Sequence, residues 1–129
     1  MLTIGTAPDE GRIRYVTDGD TFRLESGERI RIAGIDAPET QAGQARCNAE
    51  LALGDAATAR ARALLDRRIV GITRVGKSYN RTVAKVTLDG RDLAALLVAN
   101  GVARWWPLHA PKPDWCGGTA SRGRKGRRG

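Results

Sequence analysis

Residues 16–40 read VTDGDTFRLESGERIRIAGIDAPET. Three of its acidic residues, Asp20, Asp36 and Glu39, sit beside apolar strand-like runs. Acidic residues are poor strand formers and costly to bury, so their positions at strand ends call for a reason. Just upstream, residues 12–16 (RIRYV) alternate as a strand does. TDGD then turns the chain at Asp-Gly, residues 21–24 resume as a second strand, and ESGER turns again at Ser26-Gly27. Ile30, Ile32 and Ile35 form a third run, with Arg29 and Arg31 on the alternate face and Gly34 interrupting the period. The pattern predicts a three-strand meander of close hairpins.

Downstream the grammar changes. Residues 48–67 are rich in Ala, Leu and Arg and predict a helix, with Leu53, Ala57 and Leu64 on one face, Ala56 and Ala63 beside them, and Gly54 and Asp55 weakening its start. Residues 69–75 and 81–88 read as two further strands. After the Asp89-Gly90 turn, Asp92 is placed to cap a short helix carrying Leu93, Leu96 and Leu97, and Gly101 suits its end. Pro107, Pro111 and Pro113 exclude a long helix beyond it. The order β-β-β-α-β-β-α, with five short strands, predicts an α+β domain: a five-stranded OB-type Greek-key barrel with helices packed on it.

A chain of 129 residues suits one domain. No apolar run approaches the ~18 residues of a membrane span, so no membrane partner is expected. The first ten residues, MLTIGTAPDE, show no basic start followed by an apolar stretch, and no signal peptide is read there. Net charge is +8, but the last nine residues, SRGRKGRRG, carry five basic groups and no acid, which leaves the rest at +3. The domain is therefore assigned to residues 1–116. Residues 117–129 are read as a disordered basic Gly/Arg tail, able to hold polyanions by neutralising phosphates or simply to solubilise. Cys47 and Cys116 do not form a CxxC pair, which argues against zinc.

Antiparallel pairing of strands two and three lays the start of one beside the end of the other and so brings Asp20 next to Asp36. Two carboxylates there repel unless a cation or a proton lies between them, and hard oxygen donors at a strand edge suit Ca2+ or Mg2+. Pro38 stiffens the turn so that Glu39 faces the same space. Arg31, always charged, has the planar fork that matches a phosphate, and Arg81 opens strand five. Taken singly, these features have plainer readings: DGD is a common turn, DAPE a capping loop, Arg31 a surface residue of an alternating strand. Together they describe metal-assisted phosphodiester hydrolysis.

With those residues placed, VTDGDTFRL, RIRIAGIDAPET, YNRTVAKV and DGRDLAALLVANGVAR together resemble the thermonuclease, or staphylococcal-nuclease-like, family, in family order over residues 12–106. The resemblance implies an OB-type barrel that cleaves DNA and RNA with one Ca2+, typically leaving a 3′-phosphate. It assigns Asp20 and Asp36 to the metal, with the backbone carbonyl of Ala37 as a further ligand. Glu39 becomes the residue that positions or activates water, and Arg31 and Arg81 the phosphate clamps. The chain departs from the family at Ala37, usually threonine, and in KSYNR, where Lys77 replaces an acid and Asn80 a glycine while Tyr79 and Arg81 persist. Asn80 is expected to take the unusual backbone angles of that turn. Lys77 and Tyr79 are expected at the substrate rim, with Trp105, Trp106 and His109 near in sequence. The family's long C-terminal helix is absent, which leaves the flank of the first helix for Trp115 to cover. Trp115 docked there brings Cys116 near Cys47; a bridge closing a loop of about 70 residues, worth roughly 4 kcal/mol in the chain-entropy model, and two unpaired thiols both stay open. A monomer is expected, secreted or periplasmic if the bridge forms and cytoplasmic otherwise. A noncatalytic nucleic-acid-binding barrel is the alternative to an active nuclease; a protein-interaction module is the third reading.

Overall fold

A computed structural model describes residues 9–117. Four strands come first: β1 (Asp9–Asp18), β2 (Thr21–Leu24), β3 (Arg29–Ile32) and the two-residue β4 (Ile35–Asp36). Helix α1 (Asn48–Leu65) follows, then β5 (Ile69–Ser78), β6 (Arg81–Leu88), β7 (Arg91–Asp92), helix α2 (Leu93–Ala99) and β8 (Arg104–Trp105). The main sheet runs β3-β2-β1-β5-β6-β7, and an additional parallel pairing of β3 with β6, through Ile30↔Thr82, Arg31↔Val83 and Ile32↔Ala84, closes five strands into a barrel. The predicted α+β barrel with packed helices is therefore the fold. Inward side chains of every barrel strand, among them Ile13, Phe22, Ile30, Val70, Ile72 and Val86, meet Ala61 and Leu65 of α1 and Leu93 and Leu97 of α2 in one core.

Two local departures from the simple pattern fall in β1 and at Gly34. In β1 the register shifts twice, between Ile13 and Tyr15 and between Val16 and Asp18. Ile13 and Val16 are thus both buried, while Tyr15, the inward residue of a strict alternation, is 42% exposed. Val16 still pairs with Phe22 of β2, and the last turn of α1 takes up its backbone N–H and C=O. Val16 N–H donates to Asp66 Oδ1 at 3.0 Å, and Arg62 Nε donates to Val16 C=O at 3.1 Å. The third run divides at Gly34, whose φ of +82° only glycine adopts easily. β3 stays in the barrel, and β4 peels off to pair with β8 through Ile35↔Trp105 and Asp36↔Arg104.

Helix α1 is continuous through Gly54 and Asp55, and its buried stripe is Glu50, Gly54, Ala57, Thr58, Ala61 and Leu65. The expected face was therefore rotated: Leu53 is 44% exposed and Leu64 packs only at the core's margin. Asp92 occupies the N-cap of α2, as expected, but makes no side-chain cap hydrogen bond. Gly101, at φ +73°, ends that helix region. At the Tyr79–Asn80 turn the left-handed residue is Tyr79, at φ +58°, and not Asn80. The tail assigned to residues 117–129 lies, from residue 118 on, outside the described residues.

Candidate active site

Strand pairing sets the first two carboxylates. Thr21 pairs with Arg31, and Ile32 N–H donates to Asp20 C=O at 2.9 Å, so the start of β2 lies against the exit of β3. Asp20 is buried. Its Oδ1 accepts the Thr21 hydroxyl at 2.8 Å, and its Oδ2 accepts Ala37 N–H at 2.9 Å. Asp20 thereby pins the Asp36-Ala37 turn. Arg31 lies between the two acids, with Nη1 3.5 Å from Asp20 Oδ2 and Nη2 3.9 Å from Asp36 Oδ1; Nη1 also donates to Ile32 C=O at 2.8 Å. A third acid joins them. Asp18 Oδ1 accepts Asp20 N–H at 3.1 Å. Burial, then the charge of Asp20 and to a lesser degree that of Glu39, pushes the Asp18 carboxyl up to about 8.

The loop carrying Glu39 is fastened to α1. Glu50, buried in the first turn of the helix, accepts Glu39 N–H at 2.9 Å and Arg46 N–H at 3.0 Å. Glu39 Oε1 accepts the N–H groups of Thr40 at 3.1 Å and Gln41 at 3.4 Å. Gly54 explains itself here: a Cβ at this position would lie 2.3 Å from Glu39 C=O, so the loop rests directly on the helix backbone. Its local helix-weakening signal is real, but it marks a contact and not an end.

The segment after β8 crosses the same site. Cys116 is bridged to Cys47, the residue preceding α1, with their Cα atoms 6.0 Å apart. Trp115 is buried, and its side chain meets Asp36 and Arg104. Its Nε1 donates to Asp36 Oδ2 at 2.8 Å, and the Arg104 guanidinium lies 4.1 Å from its ring centroid. Lys112 Nζ donates to both Asp36 oxygens at 2.9 Å. Neither Lys112 nor Trp115 is visible as a site residue in the sequence, because each reaches Asp36 across more than 70 positions with no motif linking them. Only the Trp115-Cys116 pairing hinted at a fixed segment.

Arg31 also borders an open groove of about 750 Å³ that Tyr79, Arg81, Trp106, His109 and Lys112 help to line. Arg81 forms no ion pair among the described residues, and Tyr79 is 96% exposed at the rim. Lys77 does not line this groove; its ammonium lies 3.3 Å from Thr82 Oγ1, on the side of Glu28. Trp105 faces a neighbouring depression with Lys85. The chain matches the staphylococcal nuclease homologue family over residues 29–114. It belongs to that family. Arg31, Asp36, Glu39 and Arg81 lie inside the matched residues, whereas Asp18 and Asp20 precede them. No curated protein matches the chain.

Members of this family are generally metal-dependent nucleases. Among the described residues no three His, Cys, Asp or Glu side chains converge as a ready cage. The ligands that the resemblance implies, Asp20, Asp36 and the Ala37 carbonyl, would all offer oxygen, which is the chemistry of a hard cation completed by water. The set fits such an ion in kind, with one reservation built into the fold: Asp36 already holds an ammonium. No helix among the described residues is long and apolar enough to cross a membrane.

Proposed function

We propose that this chain is a Ca2+-dependent nuclease hydrolysing phosphodiester bonds of DNA and/or RNA. The observation that carries the reading is Arg31, held against both Asp20 and Asp36 on one side and bordering the groove of Arg81 on the other. Asp20, Asp36 and the Ala37 carbonyl would hold the cation, which supplies positive charge opposite the phosphate when bound. Asp20, Asp36, one carbonyl and waters form a loose oxygen site, better suited to Ca2+ than to the stricter octahedron of Mg2+. Arg31 and Arg81 grip the non-bridging phosphate oxygens with forked donors and offset the charge that develops there. Glu39, tethered through its backbone to Glu50, takes a proton from the attacking water as the phosphorus–oxygen bond to the leaving group breaks. Trp106, His109 and Tyr79 offer flat surfaces on which a base can stack.

The protein is taken to act as a monomer. The Cys47–Cys116 bridge supports a secreted or periplasmic setting, since disulfides persist where the surroundings oxidise. The basic tail is assigned added affinity for polyanions without a part in the chemistry. Incubating DNA and RNA with the protein in Ca2+ and in chelator tests the function. Cleavage in Ca2+ alone is the expected result, and cleavage unaffected by chelator removes the metal reading. A noncatalytic nucleic-acid-binding barrel is the second reading, favoured by the Lys112 ammonium on Asp36. Binding of either nucleic acid with no cleavage in Ca2+ would select it.

A further inference from the structure

Asp36 is crowded with partners that the metal-dependent reading does not require. Lys112 Nζ donates to both of its oxygens at 2.9 Å, Trp115 Nε1 donates to Oδ2 at 2.8 Å, and Arg31 Nη2 stands 3.9 Å from Oδ1. The Asp36 side chain is only 5% exposed. A carboxylate so placed needs a resident counter-charge, and a divalent ligand would need the lone pairs that Lys112 now occupies.

The partners differ in how easily they can leave. Trp115 is buried under the Arg104 guanidinium and is followed directly by the bridged Cys116. Arg31 is held by Asp20 and the Ile32 carbonyl. Lys112 sits at the end of a flexible four-carbon stem with a side chain 41% exposed, and it lines the open groove. Its backbone segment is fastened on both sides. Upstream, Trp106 N–H donates to Gly34 C=O at 2.7 Å and Trp106 Nε1 to Ala110 C=O at 2.8 Å; downstream stands the Cys47–Cys116 bridge. The ammonium can therefore swing away while the chain that carries it stays seated. The Trp106 ring, with its centroid 5.5 Å from Nζ, offers it a face within the groove.

We propose that Lys112 is a tethered counter-ion of Asp36 that a divalent cation must displace, so that this one side chain sets the cation affinity of the site. The proposal rests on the metal-dependent reading above. The exchange is purely ionic: one positive partner of Asp36 leaves as another arrives, and no covalent bond changes. Removing the ammonium leaves Asp36 poorer in positive partners and strengthens cation binding. Replacing it with another cation does not.

Calorimetric Ca2+ titration of the disulfide-intact protein without nucleic acid tests this, comparing the wild type with Lys112→Met and Lys112→Arg. Lys112→Met is expected to bind Ca2+ about tenfold more tightly, and Lys112→Arg no more tightly than the wild type. In the wild type, the Lys112 side-chain NMR resonances are expected to shift as Ca2+ saturates. Trp115 fluorescence and the thermal midpoint verify that the segment remains seated. Ca2+ binding by Lys112→Met alone also supports the proposal. Equal affinity in the wild type and Lys112→Met overturns it and leaves the Ca2+ site standing. Absence of Ca2+ binding in all three proteins overturns both. Should Lys112→Met fail to fold, the wild-type resonances decide: a Lys112 signal unmoved by bound Ca2+ overturns the proposal.

Discussion

Glu39 and the two arginines carry the functional reading at the level of single side chains. Glu39 N–H is held by Glu50, and its Oε1 accepts Thr40 and Gln41 N–H, a role that the amide oxygen of a glutamine can keep, so the charge can be removed without unfastening the loop. Glu39→Gln is expected to lower the cleavage rate by ~10²–10⁴-fold with Ca2+ affinity and thermal midpoint nearly unchanged. A variant cleaving at the wild-type rate removes Glu39 from the chemistry. Arg31→Lys and Arg81→Lys each keep a point charge and lose the fork, and kcat is expected to fall in both. Arg31→Lys should also lower stability, because Arg31 spans two buried carboxylates; Arg81, unpaired among the described residues, should affect rate alone. Kinetics and urea midpoints of the two variants separate these effects. Of the residues meeting at this site, Asp20, Arg31 and Asp36 are legible because short-range hairpin register brings them together. Asp18 reads in the sequence only as the first acid of a turn. Nothing local distinguishes Lys112 from any solvated lysine.

At the scale of elements, two contacts between segments decide local stability. A Cβ at Gly54 would collide with Glu39 C=O at 2.3 Å. Gly54→Ala should gain up to ~1 kcal/mol of helix propensity, yet backbone on backbone cannot give way, so the loop must lift. Lower thermal stability and slower cleavage are the expected results, and a more stable, fully active variant would show that the loop is not seated there. The second contact joins four strands or turns. Arg74 of β5 donates to Glu28 through Nη2 at 2.6 Å and Nε at 2.9 Å and also pairs with Asp9 of β1, while the Thr82 hydroxyl of β6 donates to Glu28 at 2.8 Å. These bonds, chiefly those from Arg74, lower Glu28 from its ordinary 4.5 to about 2. Folding thus favours the ionised form. Its contribution is complete above about pH 4.5 and is lost as pH falls through about 2. The wild type should be more stable than Glu28→Gln at neutral pH, and the difference should shrink steadily in urea titrations run down through that window. A difference independent of pH would mean that the network contributes packing alone.

For the whole molecule, the bridge and the barrel closure matter most. Cys47 and Cys116 are 69 positions apart, and closing that loop in the unfolded chain corresponds to roughly 4 kcal/mol in the chain-entropy model. The bridge also ties the segment carrying Lys112 and Trp115 to the start of α1. Reduced protein, or Cys47→Ser with Cys116→Ser, is expected to unfold at lower temperature and to show a more solvent-exposed Trp115 emission; an unchanged midpoint would mean that the bridge adds nothing to folding. Element order, the hairpin register and the neighbourhood of Asp20, Arg31 and Asp36 were readable along the chain, because period-two alternation, turn residues and helix-forming composition act over a few positions. The parallel β3–β6 closure, the irregular β1, the rotated face of α1 and the arrival of Lys112 and Trp115 on Asp36 were not. Each of these depends on which distant surface a segment finds when the core closes, and residues 76 and 79 positions apart meet only through tertiary packing that no local period encodes.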